Sequence, residues 1–243
     1  MSEPVCNICG GSGWRIVERD GISGAERCEC AKTANTRIHL KHAQIPALYE
    51  NASLDNFSLA HLSTQSAKQA LGQVLTTVRT YAREFPQVEK PGLLLVGDPG
   101  TGKTHLAVAA LRILISKGFQ GLFNDYQNLL DRIRMGYDSN SGQADREAYR
   151  TAMEAEILLL DDLGAHRVTD WVEDTVTSII TYRCNNRKAL IATTNLVDPE
   201  IGGVSAGKTQ LSERIGLRAR SRLFEMCRIV RLPAVDDYRQ KRR

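Results

Sequence analysis

One stretch constrains this chain more than any other: Leu93-Leu94-Leu95-Val96-Gly97-Asp98-Pro99-Gly100-Thr101-Gly102-Lys103-Thr104-His105. An apolar run short enough to be a buried strand meets a glycine-rich turn. The turn opens into a helical pattern, with Leu106, Ala109, Ala110, Ile113 and Leu114 on one stripe and Gly118 as its stop. Strand, turn and helix in that order are what a phosphate-binding loop requires. Gly97, Gly100 and Gly102 let the backbone turn sharply and bring its N–H groups up to phosphate oxygens. The helix that starts near Lys103 adds unpaired N–H donors and the positive end of its dipole. Read this way, Gly97 through His105 cradle a nucleotide. Lys103 reaches its β- and γ-phosphates, and the Thr104 hydroxyl is a ligand for Mg²⁺.

The chain carries its own control. Gly202-Gly203-Val204-Ser205-Ala206-Gly207-Lys208-Thr209 satisfies the same pattern, but Asn195-Leu196-Val197-Asp198-Pro199-Glu200-Ile201 precedes it. Proline and acids stand where the strand should be, so nothing aims that loop. It reads as a flexible connection.

A second piece of chemistry lies at Ile157-Leu158-Leu159-Leu160-Asp161-Asp162, a buried parallel strand ending in two carboxylates. At the sheet edge that also holds the phosphate loop, one acid orders magnesium and its neighbour polarises the attacking water. Asp161 is assigned to the metal and Asp162 to the base. Between the two motifs, Leu122-Phe123 begins a strand, Tyr126 to Met135 is helical, and Met135 to Gly142 is a polar loop. A long helix from Trp171 to Arg187 leads into the strand Ala189 to Thr193, which runs on to Thr194-Asn195. A polar residue on a strand between the motif strands touches the γ-phosphate or the lytic water; Asn195 is the first candidate and Thr194 the second.

Four of the six cysteines fall in the first thirty residues, as Cys6-x₂-Cys9 and Cys28-x-Cys30. In a reducing compartment two such pairs read as a Cys₄ zinc site rather than as disulfides. Gly10 to Gly13 form a knuckle around the metal, and Trp14 to Val17 alternates like a strand with a turn near Asp20-Gly21. Thirty residues bury too little to fold alone, so the ion supplies the folding free energy, on the order of 10–16 kcal/mol. With four protein ligands the site is structural. Cys184 and Cys227 read as core residues. A linker then docks on the next domain, and a helical stripe from Ala67 to Ala82 follows Ser63 and ends before Pro86. The expected organisation is a zinc module over residues 1–35, a linker over 36–62 and a nucleotide domain over 63–243. At 243 residues the chain has room for both units. No apolar run approaches the ~20 residues of a membrane span. The N-terminus carries no signal-peptide pattern, so a cytoplasmic location is expected. The net charge of +4 decides little, but arginines crowd the last thirty or so residues and lean toward an anionic partner.

Together these residues resemble the AAA+ ATPases, in particular the DnaC-type replicative helicase loaders and their relatives, the IstB-type transposition ATPases. The resemblance spans roughly Ile45 to Arg239. It rests on Gly97 to His105, Ile157 to Gly164, Thr193 to Leu196, Leu211 to Arg214 and Ser221 to Leu223. It implies an α/β fold, a five-stranded parallel sheet flanked by helices, without the α-helical lid that follows the sheet in many such ATPases. The cysteine pairs resemble the zinc-binding segment of bacterial and phage loaders. They also match half of a DnaJ-type zinc motif whose second half is absent. The resemblance makes Asn195 a sensor of the γ-phosphate and Arg222 the arginine finger that completes a neighbouring subunit's site. Arg214, Arg218 and Arg220 are left as a solvated or DNA-facing surface, and Arg239 falls where a second sensor might be. It further implies ATP, Mg²⁺ and Zn²⁺, a hexameric replicative helicase as partner, self-association into a spiral or ring, and single-stranded DNA in the channel near Arg132, Arg134 and Tyr137. The implied activity is ATP hydrolysis that loads a helicase onto DNA. An IstB-like transposition helper and a P-loop nucleotide kinase are the alternatives.

Overall fold

The computed structural model describes residues 6–59, 62, 64–138, 144–201, 207–235 and 237–238. The N-terminal strands β1 (Trp14–Arg19) and β2 (Ile22–Arg27) form an antiparallel hairpin. Its turn has Asp20 at φ 53 and Gly21 at φ 76, the paired positive values of a tight hairpin turn. Helix α1 (Glu29–His42) starts directly from Cys28, whose extended φ/ψ caps it. The residue-35 boundary between module and linker therefore falls inside one continuous helix. The segment after it is packed into the core through Ala43, Ala52, Leu54 and Leu62. Helix α2 (Gln65–Glu84) is capped by the Thr64 hydroxyl, which accepts from the Ala67 N–H at 3.3 Å, and it buries Leu71, Val74, Val78, Tyr81 and Ala82. Ser63 lies outside the described residues.

The nucleotide domain proper alternates strand and helix: β3 (Gly92–Val96), α3 (Lys103–Ser116), β4 (Gly121–Asp125), α4 (Tyr126–Asp138), α5 (Ala144–Glu154), β5 (Ile157–Asp161), α6 (Asp170–Asn185), β6 (Ala189–Thr194), α7 (Leu211–Met226) and β7 (Cys227–Arg231). The five strands pair in the order β4-β5-β6-β3-β7, every pair parallel. This is the expected five-stranded parallel sheet, and its central strands are buried on both faces. Alternation along β3 sends Leu93 and Leu95 into the layer holding α2 and α3, and Leu94 and Val96 into the layer holding α4 to α7. All strands point their C-terminal ends at one edge, and the motif residues collect there.

Three local features depart from the sequence reading. Helix α4 runs on to Asp138, so residues 135–138 are helical rather than loop; 139–143 lie outside the described residues. Helix α5 was not anticipated. Its C-terminal carbonyls at Ala152, Met153 and Ala155 accept from the fully buried Arg183 guanidinium on α6, which also reaches Ala189 O on β6. Burial pulls the Arg183 pKa down to about 9, and the carbonyls compensate a charge that is still present at neutral pH. Finally, α7 is bent at Gly216 (φ 79, ψ 155), which divides the helix into two short arms against α6.

Candidate functional site

The phosphate loop springs from the end of β3, where the Gly97 N–H donates to the Thr194 carbonyl of β6 at 3.3 Å. Inside the loop, the Thr101 hydroxyl and the Lys103 ammonium both donate to the Asp98 carbonyl at 2.8 Å. Lys103 is thus held over the loop by a backbone oxygen, buried to 5% exposure. Pro99, Gly100, Gly102 and Thr104 line a cavity of about 570 Å³, within the range of small-molecule sites. Asp161, Asp162 and Asn195 line it from the neighbouring strand ends.

The Thr104 hydroxyl donates to both oxygens of Asp161, at 2.9 and 3.1 Å. Thr193 on β6 donates to the same carboxylate at 2.7 Å and accepts from the Asp162 N–H at 2.9 Å. Burial holds the Asp161 pKa above the ordinary carboxylate range. The Thr193 and Thr104 hydroxyls work against that, while the Asp162 and Asp125 charges add to it. Asp162 adopts a left-handed backbone (φ 54), and its carboxylate accepts from the Asn195 amide at 2.9 Å. The second acid and the polar residue after β6, thirty-three positions apart in sequence, therefore form a direct pair. The donor set suits Mg²⁺: a hydroxyl and a carboxylate converge as hard oxygens beside a loop shaped for phosphate.

Some supporting and wall residues are hard to find in the sequence. Thr193, buried behind Asp161, reads as an ordinary strand threonine, and only the Thr-Thr-Asn run hints at it. The cavity's other side comes from the segment taken as a linker, through Leu48, Tyr49 and Phe57, and from Tyr238 near the C-terminus. The Phe57 ring lies against the phosphate loop, where a Cβ on Gly102 would sit 2.5 Å from a ring carbon. The same ring meets His105 edge-on at 5.4 Å, and His105 Nε2 donates to the Ser53 carbonyl at 2.8 Å. His105 thereby ties the segment around Ser53 to the cavity it also lines.

The arginines of α7 divide. Arg222 is exposed and bonds Glu225 one turn on at 2.7 Å, away from its own chain's cavity lining. Arg220, expected on a solvated or DNA-facing surface, is folded inward instead. It clamps the buried Asp198 through two 2.6 Å bonds, reaches Glu200 at 3.1 Å, and stacks 4.2 Å over Phe224. On α4, Arg132 is exposed, and Arg134 lies 5.9 Å over the Trp171 ring. The Tyr137 side chain and Arg239 fall outside the described residues. Before the second glycine-rich match there is a short turn at Pro199–Ile201 in place of a strand; 202–206 are outside the described residues, and Lys208 reaches Asp98 at 3.5 Å.

At the other end of the chain, the sulfurs of Cys6, Cys9, Cys28 and Cys30 lie within 4.8 Å of one another. The Cys6–Cys28 sulfurs lie 3.8 Å apart and the Cys9–Cys30 sulfurs 3.3 Å apart, against the ~3.8 Å edge of a tetrahedron drawn with Zn–S bonds of about 2.3 Å. The one-residue spacing of the second pair works because Cys28 caps α1 and Cys30 sits in its first turn. Hydrogen bonding with Cys30 is the main cause that pushes the Cys9 thiol down to about 6, assisted by the Gly13 and Gly11 N–H groups against a burial cost. Cys30, retaining its proton toward Cys9 and Cys28, is pushed up to about 12. A metal would replace these shared protons, and the four thiols fit a tetrahedral thiophilic ion.

A phosphate loop on a central parallel strand, two acids ending another strand, and a polar residue ending the strand between them define the AAA+ class of P-loop proteins. The chain belongs to the family of IstB-like ATP binding proteins, with the match running over residues 32–243. A chain from a crystal structure of the DnaC helicase loader superposes with a TM-score of 0.63 at 33% identity, over 77% of this chain and 100% of that one. The phage-like element PBSX protein XkdC of Bacillus subtilis is 24% identical over 245 residues, 91% of this chain and 79% of that protein. The replicative helicase loader DnaC of Escherichia coli is 22% identical over 151 residues, 62% of this chain and 58% of DnaC. The cysteine cluster precedes the family match.

Proposed function

We propose that the chain is an ATP-dependent helicase loader, cytoplasmic, that binds single-stranded DNA and delivers a hexameric replicative helicase to it. The linked set Thr104–Asp161–Thr193 and Asp162–Asn195, closing the sheet edge beside the phosphate loop, carries this reading. Lys103 exchanges the Asp98 carbonyl for the β- and γ-phosphate oxygens of ATP. Thr104 and Asp161 hold Mg²⁺, which when bound neutralises charge on the phosphates. Asp162 takes the base position, and Asn195 orients it and reads the γ-phosphate end of the cavity.

Arg222 acts on the next protomer. Arg222 does not line its own chain's cavity, and that together with its exposed pairing with Glu225 supports the role. A finger of this kind can raise the rate ~10³–10⁵-fold, which ties hydrolysis to assembly into a spiral or ring. Cys6, Cys9, Cys28 and Cys30 hold a structural Zn²⁺, and the module over residues 1–35 grips the helicase. Helix α1 joins it to the ATPase domain, whose core takes in the segment from Ala43 to Leu62, and Arg132 and Arg134 face the DNA.

The test is the ATPase rate against protein concentration, with and without single-stranded DNA, for wild type and Arg222→Ala. A rate that climbs with both, flat in the mutant while it still binds ATP, is the expected result. A concentration-independent rate that the mutation leaves alone removes the assembly mechanism. A pull-down of the replicative helicase by zinc-loaded, ATP-bound full-length protein tests the loader role itself. The family match favours one second reading, a transposition helper ATPase. Failure to capture the helicase together with capture of a transposase would select it.

A further inference from the structure

Beyond β7 the chain stays on the sheet edge. The Leu232 N–H donates to the Val96 carbonyl at 2.8 Å, one bond past the last residue of the strand. Leu232 then covers Gly97, whose Cβ, if present, would lie 3.1 Å from the leucine Cβ. The segment returns to the phosphate loop at Asp237 and Tyr238. The Tyr238 N–H donates to the Gly100 carbonyl at 3.2 Å. The Asp237 carboxylate presses on the same glycine, where a Cβ would fall 2.0 Å from its oxygen. Any side chain at position 100 would evict this tail. Gly100 therefore serves a contact with the end of the chain as well as the turn of the loop.

The tail brings Tyr238 into the lining of the cavity that Lys103, Asp161 and Asn195 share. Tyr238 is 38% exposed there, and Leu48, which lines the cavity from the 47–49 turn, is 76% exposed. A cavity floored by phosphate-binding groups and fringed by large side chains partly exposed to water suits a ligand with an anionic end and a flat apolar end. We infer that Tyr238 is the C-terminal wall of the nucleoside half of the site, packing on the base or ribose across from Leu48 and Tyr49. The backbone bond to Gly100 fixes this wall to the phosphate loop itself, so the two halves of the nucleotide are held in register by one short segment. This inference rests on the reading of the cavity as an ATP site.

The test compares ATP with inorganic tripolyphosphate, which has the phosphates and lacks the nucleoside. Both are titrated with Mg²⁺ into the full chain by calorimetry, for wild type, Tyr238→Ala, Tyr238→Trp and Lys103→Ala. Tyr238→Ala should weaken ATP about tenfold, the measure of one lost base–aromatic contact, and leave tripolyphosphate unchanged. Tyr238→Trp, which restores a stacking surface, should keep ATP affinity, and Lys103→Ala should lose both ligands. Wild-type affinity for ATP in Tyr238→Ala overturns the inference, as does an equal loss of ATP and tripolyphosphate in a variant whose urea midpoint is unchanged. Wild-type protein that binds neither ligand overturns the nucleotide reading, and the wall with it.

Discussion

Arg220 and Arg222 stand two residues apart on α7, and their removal should fail in opposite ways. The Asp198 side chain that Arg220 clamps is 0% exposed, and Arg220 itself is 16% exposed. Arg220→Ala would leave a carboxylate buried without its cation, a break that costs about 3–5 kcal/mol in comparable pairs. The residual exposure of Arg220 lets some water reach the site and sets the expectation near the lower end, about 3 kcal/mol. Arg222 and Glu225 are 44% and 58% exposed, so Arg222→Ala should leave the unfolding midpoint where it is. Its effect belongs to hydrolysis by assembled protein.

The pH dependence sharpens the test. Burial acts to raise the Asp198 pKa, but the Arg220 hydrogen bonds, the Glu200 N–H and the Arg220 charge together outweigh it and hold the group below the usual range. A depressed carboxyl contributes stability above its unfolded pKa and loses it as pH falls through the folded value. In Arg220→Ala the balance reverses: burial dominates, the pKa rises, and protonation relieves the folded state. The gap between wild type and mutant should therefore narrow as the buffer is taken from pH 7 toward about 4. Urea unfolding followed by circular dichroism at several pH values measures it. A gap below about 1 kcal/mol, or one indifferent to pH, would refute the buried-pair argument.

Two further predictions concern the metal sites. Cys9→Ser should lose one equivalent of zinc and, with it, amide protection across β1 and β2, while the core from Ala43 onward keeps its midpoint; hairpin protection that survives metal removal would deny the ion a folding role. Asp161 carries the opposite sign from Asp198. Its raised pKa means stability that is present below the unfolded value and lost as pH rises through the folded one, so the ionised group destabilises nucleotide-free protein at neutral pH. Asp161→Asn still accepts from Thr193 and Thr104, and should raise the nucleotide-free urea midpoint while abolishing magnesium-dependent hydrolysis. The gap in nucleotide-free urea midpoint between Asp161→Asn and wild type should therefore narrow as the pH falls and the wild-type carboxyl takes up its proton, and a gap indifferent to pH would count against the burial argument.

The parts of the site legible in the sequence are those whose geometry is local. The phosphate loop announces itself because strand, turn and helix are contiguous, and Asp161-Asp162 because an apolar run ends in two acids. Closure of the site escapes the sequence, since each closing contact joins distant positions. Thr193 gains its meaning only when β6 lies beside β5. Phe57 and Tyr238 meet Gly102 and Gly100 from opposite ends of the chain. Arg220 looked like surface because Asp198, its partner, is separated from it by 22 positions and a turn. Helix α5 was missed because Ala144–Glu154 is polar along most of its length, and its C-terminus is satisfied by a guanidinium from α6 rather than by a cap of its own.

Helix α1 has a consequence for how the two ends of the molecule communicate. Its first turn is part of the thiol cluster. Just past its last turn, the Ala43 carbonyl accepts from the Phe123 N–H of β4 at 2.7 Å, and the cavity wall at Leu48 follows within a few residues. Fourteen helical residues make a rod about 21 Å long with no slack in it. The thiol cluster is therefore joined to the mouth of the nucleotide cavity by a continuous helix rather than by a flexible tether.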